Sequence, residues 1–160
     1  MRILIATALF LPLAVLANPI HVVKVHLTNN TDSQMHYETL TIGHDTRVVN
    51  YPREHIDAHR LPELAIVLNA PSDRWALSDM TYKIDLPPEM CENGAHTCSE
   101  TVLLNWQTNM GFEGGDGSIC GVSGKNYESL EHIRAYCDIP TIDPRDPSVL
   151  HIHYYFDYAG

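Results

Sequence analysis

The sequence predicts a mainly β domain: an antiparallel β-sandwich or barrel of about six to eight strands, with one short α-helix and two disulfides. Three observations predict it. Short runs rich in β-branched and aromatic residues recur at regular intervals, ten prolines and nine glycines separate them, and four cysteines crowd the second half of the chain.

The first element is not part of the fold. Positions 1–17, MRILIATALFLPLAVLA, carry one charge (Arg2), an apolar run, and Val15 and Ala17 at the −3 and −1 positions of a cleavage site. That order of charge, apolar core and small residues is a secretory signal peptide. Pro12 and the shortness of the run set it apart from an anchor, which needs about 20 apolar residues. Residues 18–160 then form a single secreted domain, of ordinary hydrophobic content and large enough for one core.

Ile20–Thr28 (IHVVKVHLT) reads as a strand stopped by Asn29-Asn30-Thr31-Asp32, and Asn29 opens an N-glycosylation sequon expected on a surface loop. His36–Ile42 alternates and ends at Gly43, with Arg47–Tyr51 as its expected hairpin partner. Pro52–Arg60 has the start and stop signals of a short helix. Glu63–Asn69 is almost continuously apolar between Pro62 and Pro71, as for a strand covered on both faces. Met80–Leu86, Thr101–Gln107 and Val149–Tyr158 complete the strands, and the first and last, being longest, are expected to pair centrally. The helix is expected at about 126–136, where Tyr127, Leu130, Ile133 and Cys137 fall at helical spacing behind Asn126 as N-cap.

Cys91, Cys98, Cys120 and Cys137 are even in number, and an exported chain should oxidise them. Local pairing, Cys91 with Cys98 and Cys120 with Cys137, is the most economical of the three possibilities, and Asn93-Gly94 supplies a turn inside the first loop. Cysteine zinc is disfavoured, because the spacings lack the short knuckle of structural sites.

Without the leader the chain carries nine Lys plus Arg against twenty Asp plus Glu. That acidity, with no basic cluster, excludes nucleic acid and anionic membranes as expected partners. Ten histidines would cancel most of the excess near pH 5.5 at their ordinary pKa of about 6.5.

Catalytic signatures are absent: no G-x-S-x-G elbow, P-loop, dinucleotide fingerprint or H-E-x-x-H occurs. Two histidine arrangements could hold a metal. His151 and His153 share one face of the last strand with Tyr155 and Asp157, and His21 or His26 could add a third ligand if the first strand lies alongside. His55 and His59 would share a face if their segment were helical. The competing explanation is a solvated polar face, and no cofactor is required. The glycine-rich stretch between Trp106 and Cys120 is long for a hairpin and carries Met110, Phe112, Glu113 and Asp116, a candidate loop for gripping a partner. Trp75, Trp106, Tyr154 and Tyr155 form a candidate sugar-stacking set.

The leader, the compact β-rich body and the four late cysteines together resemble the small secreted cysteine-containing proteins that filamentous fungi export during host colonisation, the candidate effectors, as a general class. Four-cysteine groups of that kind with a cysteine near the mature N-terminus differ from this chain, which has none before Cys91. The resemblance implies an extracellular, non-enzymatic protein acting on a host molecule, and the expectation is an inhibitor- or effector-like monomer that binds an extracellular or host protein. A metal-dependent secreted enzyme using His151 and His153, and a carbohydrate- or lipid-binding module, are the alternatives.

Overall fold

Strong alternation of apolar and polar side chains builds two sheets that can be buried only against each other. A computed structural model describes residues 20–58, 61–71, 75–108 and 117–159; the leader and the candidate loop residues Met110, Phe112, Glu113 and Asp116 lie outside them. Eleven strands are described: β1 (Ile20–Asn29), β2 (Met35–Thr41), β3 (Arg47–Asn50), β4 (His55–Ile56), β5 (Pro62–Pro71), β6 (Ala76–Leu86), β7 (Cys98–Thr108), β8 (Ile119–Gly124), β9 (Ile133–Cys137), β10 (Thr141–Asp143) and β11 (Asp146–Tyr158).

One sheet has the order β10-β11-β1-β5-β3, with β9 also on β11; the other runs β4-β2-β6-β7-β8. The two pack as a sandwich, and no closed barrel forms. From β1 and β11, Val23, Val25, Leu27, Leu150, Ile152, Tyr154 and Phe156 point inward and are fully buried against Met80, Tyr82, Ile84, Leu104 and Trp106 of the facing sheet. Tyr154 also ties the layers together, its hydroxyl donating to the Asn105 carbonyl at 2.6 Å. Burial pushes this phenol far up, so it stays a neutral donor.

The expected central pairing of first and last strands is present, but it is parallel, with Val22 opposite Val149 through Asn29 opposite Phe156. The sandwich is therefore mixed, not purely antiparallel. β5 lies between β1 and β3, and its buried run Ala65–Leu68 fits a strand covered on both faces.

Three local expectations are corrected. No α-helix occupies 126–136: Lys125–Tyr127 is a 3-10 turn and Ile133–Cys137 is strand β9, paired antiparallel with β11. Positive φ at Asn126 (56°) and Tyr127 (65°) breaks any helix at its start, and Ile133 and Cys137, four apart, share the inward face of the strand with Ala135. The segment expected as a helix at Pro52–Arg60 is extended over its described residues 52–58, since Arg53 N–H goes to the Ala65 carbonyl and Tyr37 N–H to the Glu54 carbonyl, and Ile56 is buried. Arg47–Asn50 pairs with β5 in the other sheet, not with β2.

Both disulfides have the expected connectivity. Cys91–Cys98 closes a turn in which Asn93 (φ 56°) and Gly94 (φ 70°) adopt left-handed backbone, the conformation an Asn-Gly pair accepts most easily. Cys120–Cys137 links β8 of one sheet to β9 of the other, crossing the open side of the sandwich. Two disulfides suit an oxidising, extracellular-type environment. Among the described residues no helix is long and apolar enough to cross a membrane.

Candidate metal centre

The parallel register of β1 and β11 sets His26 directly opposite His153 and Lys24 opposite His151. Because Val23, Val25, Ile152 and Tyr154 fill the core, strand alternation turns His26, His151 and His153 onto the outer face of the same sheet. One potential ligand atom from each of the three imidazoles lies within 4.8 Å of the others, and all three side chains are half-buried. His26 Nε2 is 3.0 Å from His151 Nδ1. The His26 and His153 rings stack, with centroids 4.5 Å apart and planes 8° from parallel. Three imidazole donors around a cation at about 2.0–2.1 Å would stand about 3.4 Å apart in tetrahedral geometry, so the cluster would draw together and its stacked rings would turn to enclose one.

A carboxylate supports the cluster from the hairpin that joins β10 to β11. Asp143 Oδ2 is 3.2 Å from His151 Nε2, and Asp143 Oδ1 accepts the Arg145 backbone N–H at 2.8 Å. The Arg145 hydrogen bond and then His151 hold this partly buried carboxyl below the usual range. On the other flank, Asp138 donates its N–H to the His153 carbonyl and its side chain pairs with Tyr155, whose ring stacks on Tyr136 at 5.0 Å.

Electrostatically the cluster favours neutral imidazole. Partial burial, then the neighbouring His153 and His151 and finally Lys24, lower His26 to about 4. Burial and His151 lower His153 as well, against a small opposing pull from Asp138. Neutral imidazole is the form that binds metal. His26 therefore does not join the general acquisition of histidine charge expected near pH 5.5, and His153 is shifted in the same direction.

The lowered His26 value has a consequence for the metal-free fold. The unfolded chain takes up a proton at His26 near 6.5 and the folded chain only near 4, so the folded state binds fewer protons between them. Stability from this residue is complete above pH 6.5 and is lost as pH falls through that window. After allowance for the half-exposed site, the loss is about 1–2 kcal/mol at pH 4. Urea unfolding of chelator-treated protein at pH 7 and pH 4.5, for wild type and His26→Gln, checks it: the variant should show the smaller decline.

Of the other sequence candidates, His55 meets His36. The two are cross-strand partners on β4 and β2 with Nδ1 atoms 3.0 Å apart, while His59 lies outside the described residues. The His55 segment is extended, so the helical basis for a His55–His59 pair is gone. The side chain of His21 also lies outside the described residues. The aromatic set does not assemble into a platform: Trp106 and Tyr154 are core, Trp75 is exposed on β6's leading end, and Tyr155 stands on the outer face beside His153.

Asn29 is not on a surface loop. It is fully buried at the end of β1, where Nδ2 donates to the Ser33 carbonyl at 2.7 Å and the Ile56 carbonyl at 3.4 Å, and Oδ1 accepts from Thr31 N–H and Thr31 Oγ1. The nitrogen that would carry a glycan is thus committed to the turn that follows β1, an Asx-type arrangement. Asn29→Ala should cost about 2 kcal/mol in chemical unfolding, because it strands buried donors and acceptors. The folded protein from a glycosylating host should show no mass change on endoglycosidase treatment.

Sequence inspection found His151 and His153 and offered His26 as one of two third partners, but it missed Asp143. Its signal was the Asp-Pro-Arg-Asp hairpin just before the last strand. That hairpin folds β10 back along β11 and so returns Asp143 to His151. In comparisons with known proteins, no family model and no curated sequence matches the chain.

Proposed function

We propose that the protein is an exported transition-metal-binding protein whose site is His26, His151 and His153. One observation carries this reading: three imidazoles from two adjacent strands converge within 4.8 Å on a solvent-accessible face. An all-imidazole donor set suits Zn2+ or Cu2+, whereas Ca2+ and Mg2+ demand oxygen. Among the described residues no fourth His, Cys, Asp or Glu atom joins the set. A bound ion would therefore keep a position for water or an external ligand, the ligand count of exchange and catalytic sites and not of closed structural ones. The disulfides support export, since they require the oxidising compartment in which such a site would meet its ion.

The test is calorimetric titration of chelator-stripped protein with Zn2+ and with Cu2+ at pH 7.5. One equivalent bound at micromolar affinity or tighter is expected. No saturable binding of either ion overturns the proposal.

A second reading, recognition of an extracellular protein, is favoured by the exposure of Trp75, Leu77 and Ile119 (54%, 58% and 58%). Leu77 and Ile119 both oppose Gln107 across neighbouring strands, so they share one face at one end of the sheet. A partner captured from natural extracellular fluid by wild type should be lost with Leu77→Ser/Ile119→Ser; equal capture by both sinks this reading.

A further inference from the structure

We infer that Asp143 is the positioning residue of this site: it holds His151 in the tautomer whose Nδ1 lone pair faces His26. This inference rests on the metal-binding reading above and adds to it how the site is set before an ion arrives.

A neutral imidazole has one N–H donor and one bare acceptor nitrogen, and the partners of each nitrogen decide which is which. On His151, Nε2 faces Asp143 Oδ2 at 3.2 Å and Nδ1 faces His26 Nε2 at 3.0 Å. An ionised carboxylate can only accept, so Nε2 carries the hydrogen and Nδ1 is left with its lone pair directed into the cluster. Asp143 contributes no atom to the set of convergent potential ligands, which is His26, His151 and His153; its Oδ2 faces His151 Nε2, and its other oxygen accepts the Arg145 N–H at 2.8 Å. That bond pins the carboxylate in the β10–β11 hairpin, where Thr141 pairs with His151 and Asp143 with Asp146. Asp143 therefore acts through His151 and does not ligate. Orientation of a ligating histidine by a carboxylate on its remote nitrogen is a general device of metal sites.

The same geometry assigns a different part to His26. With His151 Nδ1 bare, the 3.0 Å contact requires His26 Nε2 to be the donor in the metal-free protein. Binding a cation through that atom obliges His26 to exchange its proton to the other nitrogen or to turn its ring. His151 is preset and His26 is the imidazole that changes.

The experiment is long-range 1H–15N correlation of the histidine rings in full-length protein, metal-free and loaded with Zn2+, together with Zn2+ titration of wild type, Asp143→Ala and His151→Ala. His151 in the Nε2–H form in both states, a change of tautomer or ring environment at His26 on loading, and a 10–100-fold weaker Zn2+ affinity for Asp143→Ala are expected. His151→Ala should weaken binding further than Asp143→Ala. His151 in the Nδ1–H form in the metal-free wild type overturns the inference, and that measurement needs no variant to fold. Zn2+ affinity of Asp143→Ala within twofold of wild type also overturns it. So does a loss equal to that of His151→Ala, which would make Asp143 a ligand. Failure of wild type to bind any Zn2+ would strike the metal-binding reading instead, and is distinguishable from all three.

Discussion

Replacing His26, His151 or His153 by alanine is expected to weaken Zn2+ binding about 100–1,000-fold, the largest functional effect in the molecule. Structural Zn2+ sites with four ligands have apparent binding energies of about 10–16 kcal/mol. One ligand is therefore worth about 3–4 kcal/mol, and each 1.4 kcal/mol is tenfold in affinity. The three changes should be comparable because the imidazoles are similarly half-buried and mutually close. None of them reaches the core, whose inward residues on β1 and β11 are Val23, Val25, Leu27, Leu150, Ile152, Tyr154 and Phe156. The variants should accordingly fold with unchanged far-UV circular dichroism. His55→Ala is the control, since His55 sits on the other sheet. Competition against a chromophoric chelator measures all four; a His26 variant binding as wild type does would remove β1 from the site.

The second large effect concerns stability. Converting Cys120 and Cys137 together to serine should lower the unfolding free energy by about 3 kcal/mol, as the closure entropy of a loop of this size suggests. For a domain of this size the melting temperature would fall by roughly 8–12 °C. The loss should exceed that from the Cys91/Cys98 pair, whose loop is shorter by ten residues of sequence separation (17 against 7) and which lies within one connection between β6 and β7. Cys120–Cys137 instead joins strands belonging to different sheets, so its removal also frees β8 and β9 to separate. Differential scanning calorimetry of the two double variants decides the order, and equal losses would show that the cross-sheet position adds nothing.

The inward-facing half of this fold was legible wherever alternation was strong. Val149–Tyr158 and Met80–Leu86 show a period of two that no helix could bury, and both are strands. The disulfide pairing followed from proximity along the chain. The region around Tyr127–Cys137 misled because its four apolar residues do fall at helical spacing, although only Ile133 and Cys137 belong to a strand, where they share a face. What separates the alternatives is the partner strand β11, which lies beyond any local window. The candidate site was half legible for the same reason. Two histidines two apart on an alternating strand must share a face, but the third ligand depends on which strand lies alongside, and Asp143 depends on a hairpin register. Asn29 shows the opposite failure. A three-residue pattern matched a modification signal, while the burial that commits its amide to Ser33 and Ile56 is a tertiary fact.

The neighbouring placement of β1 and β11 also constrains the order of events during synthesis. Strands β6, β7 and β8 are joined by successive antiparallel pairings, so that sheet can assemble as its segments emerge. The seam between β1 and β11 brings together residues such as His26 and His151, 125 positions apart, and cannot zip until nearly the whole polypeptide has been delivered. Until then the valine-rich first strand presents a sticky, unsatisfied border to its surroundings, the kind of species that invites self-association at high concentration. Any ion taken by the histidine cluster would thus be acquired late, by chains that have already completed that seam.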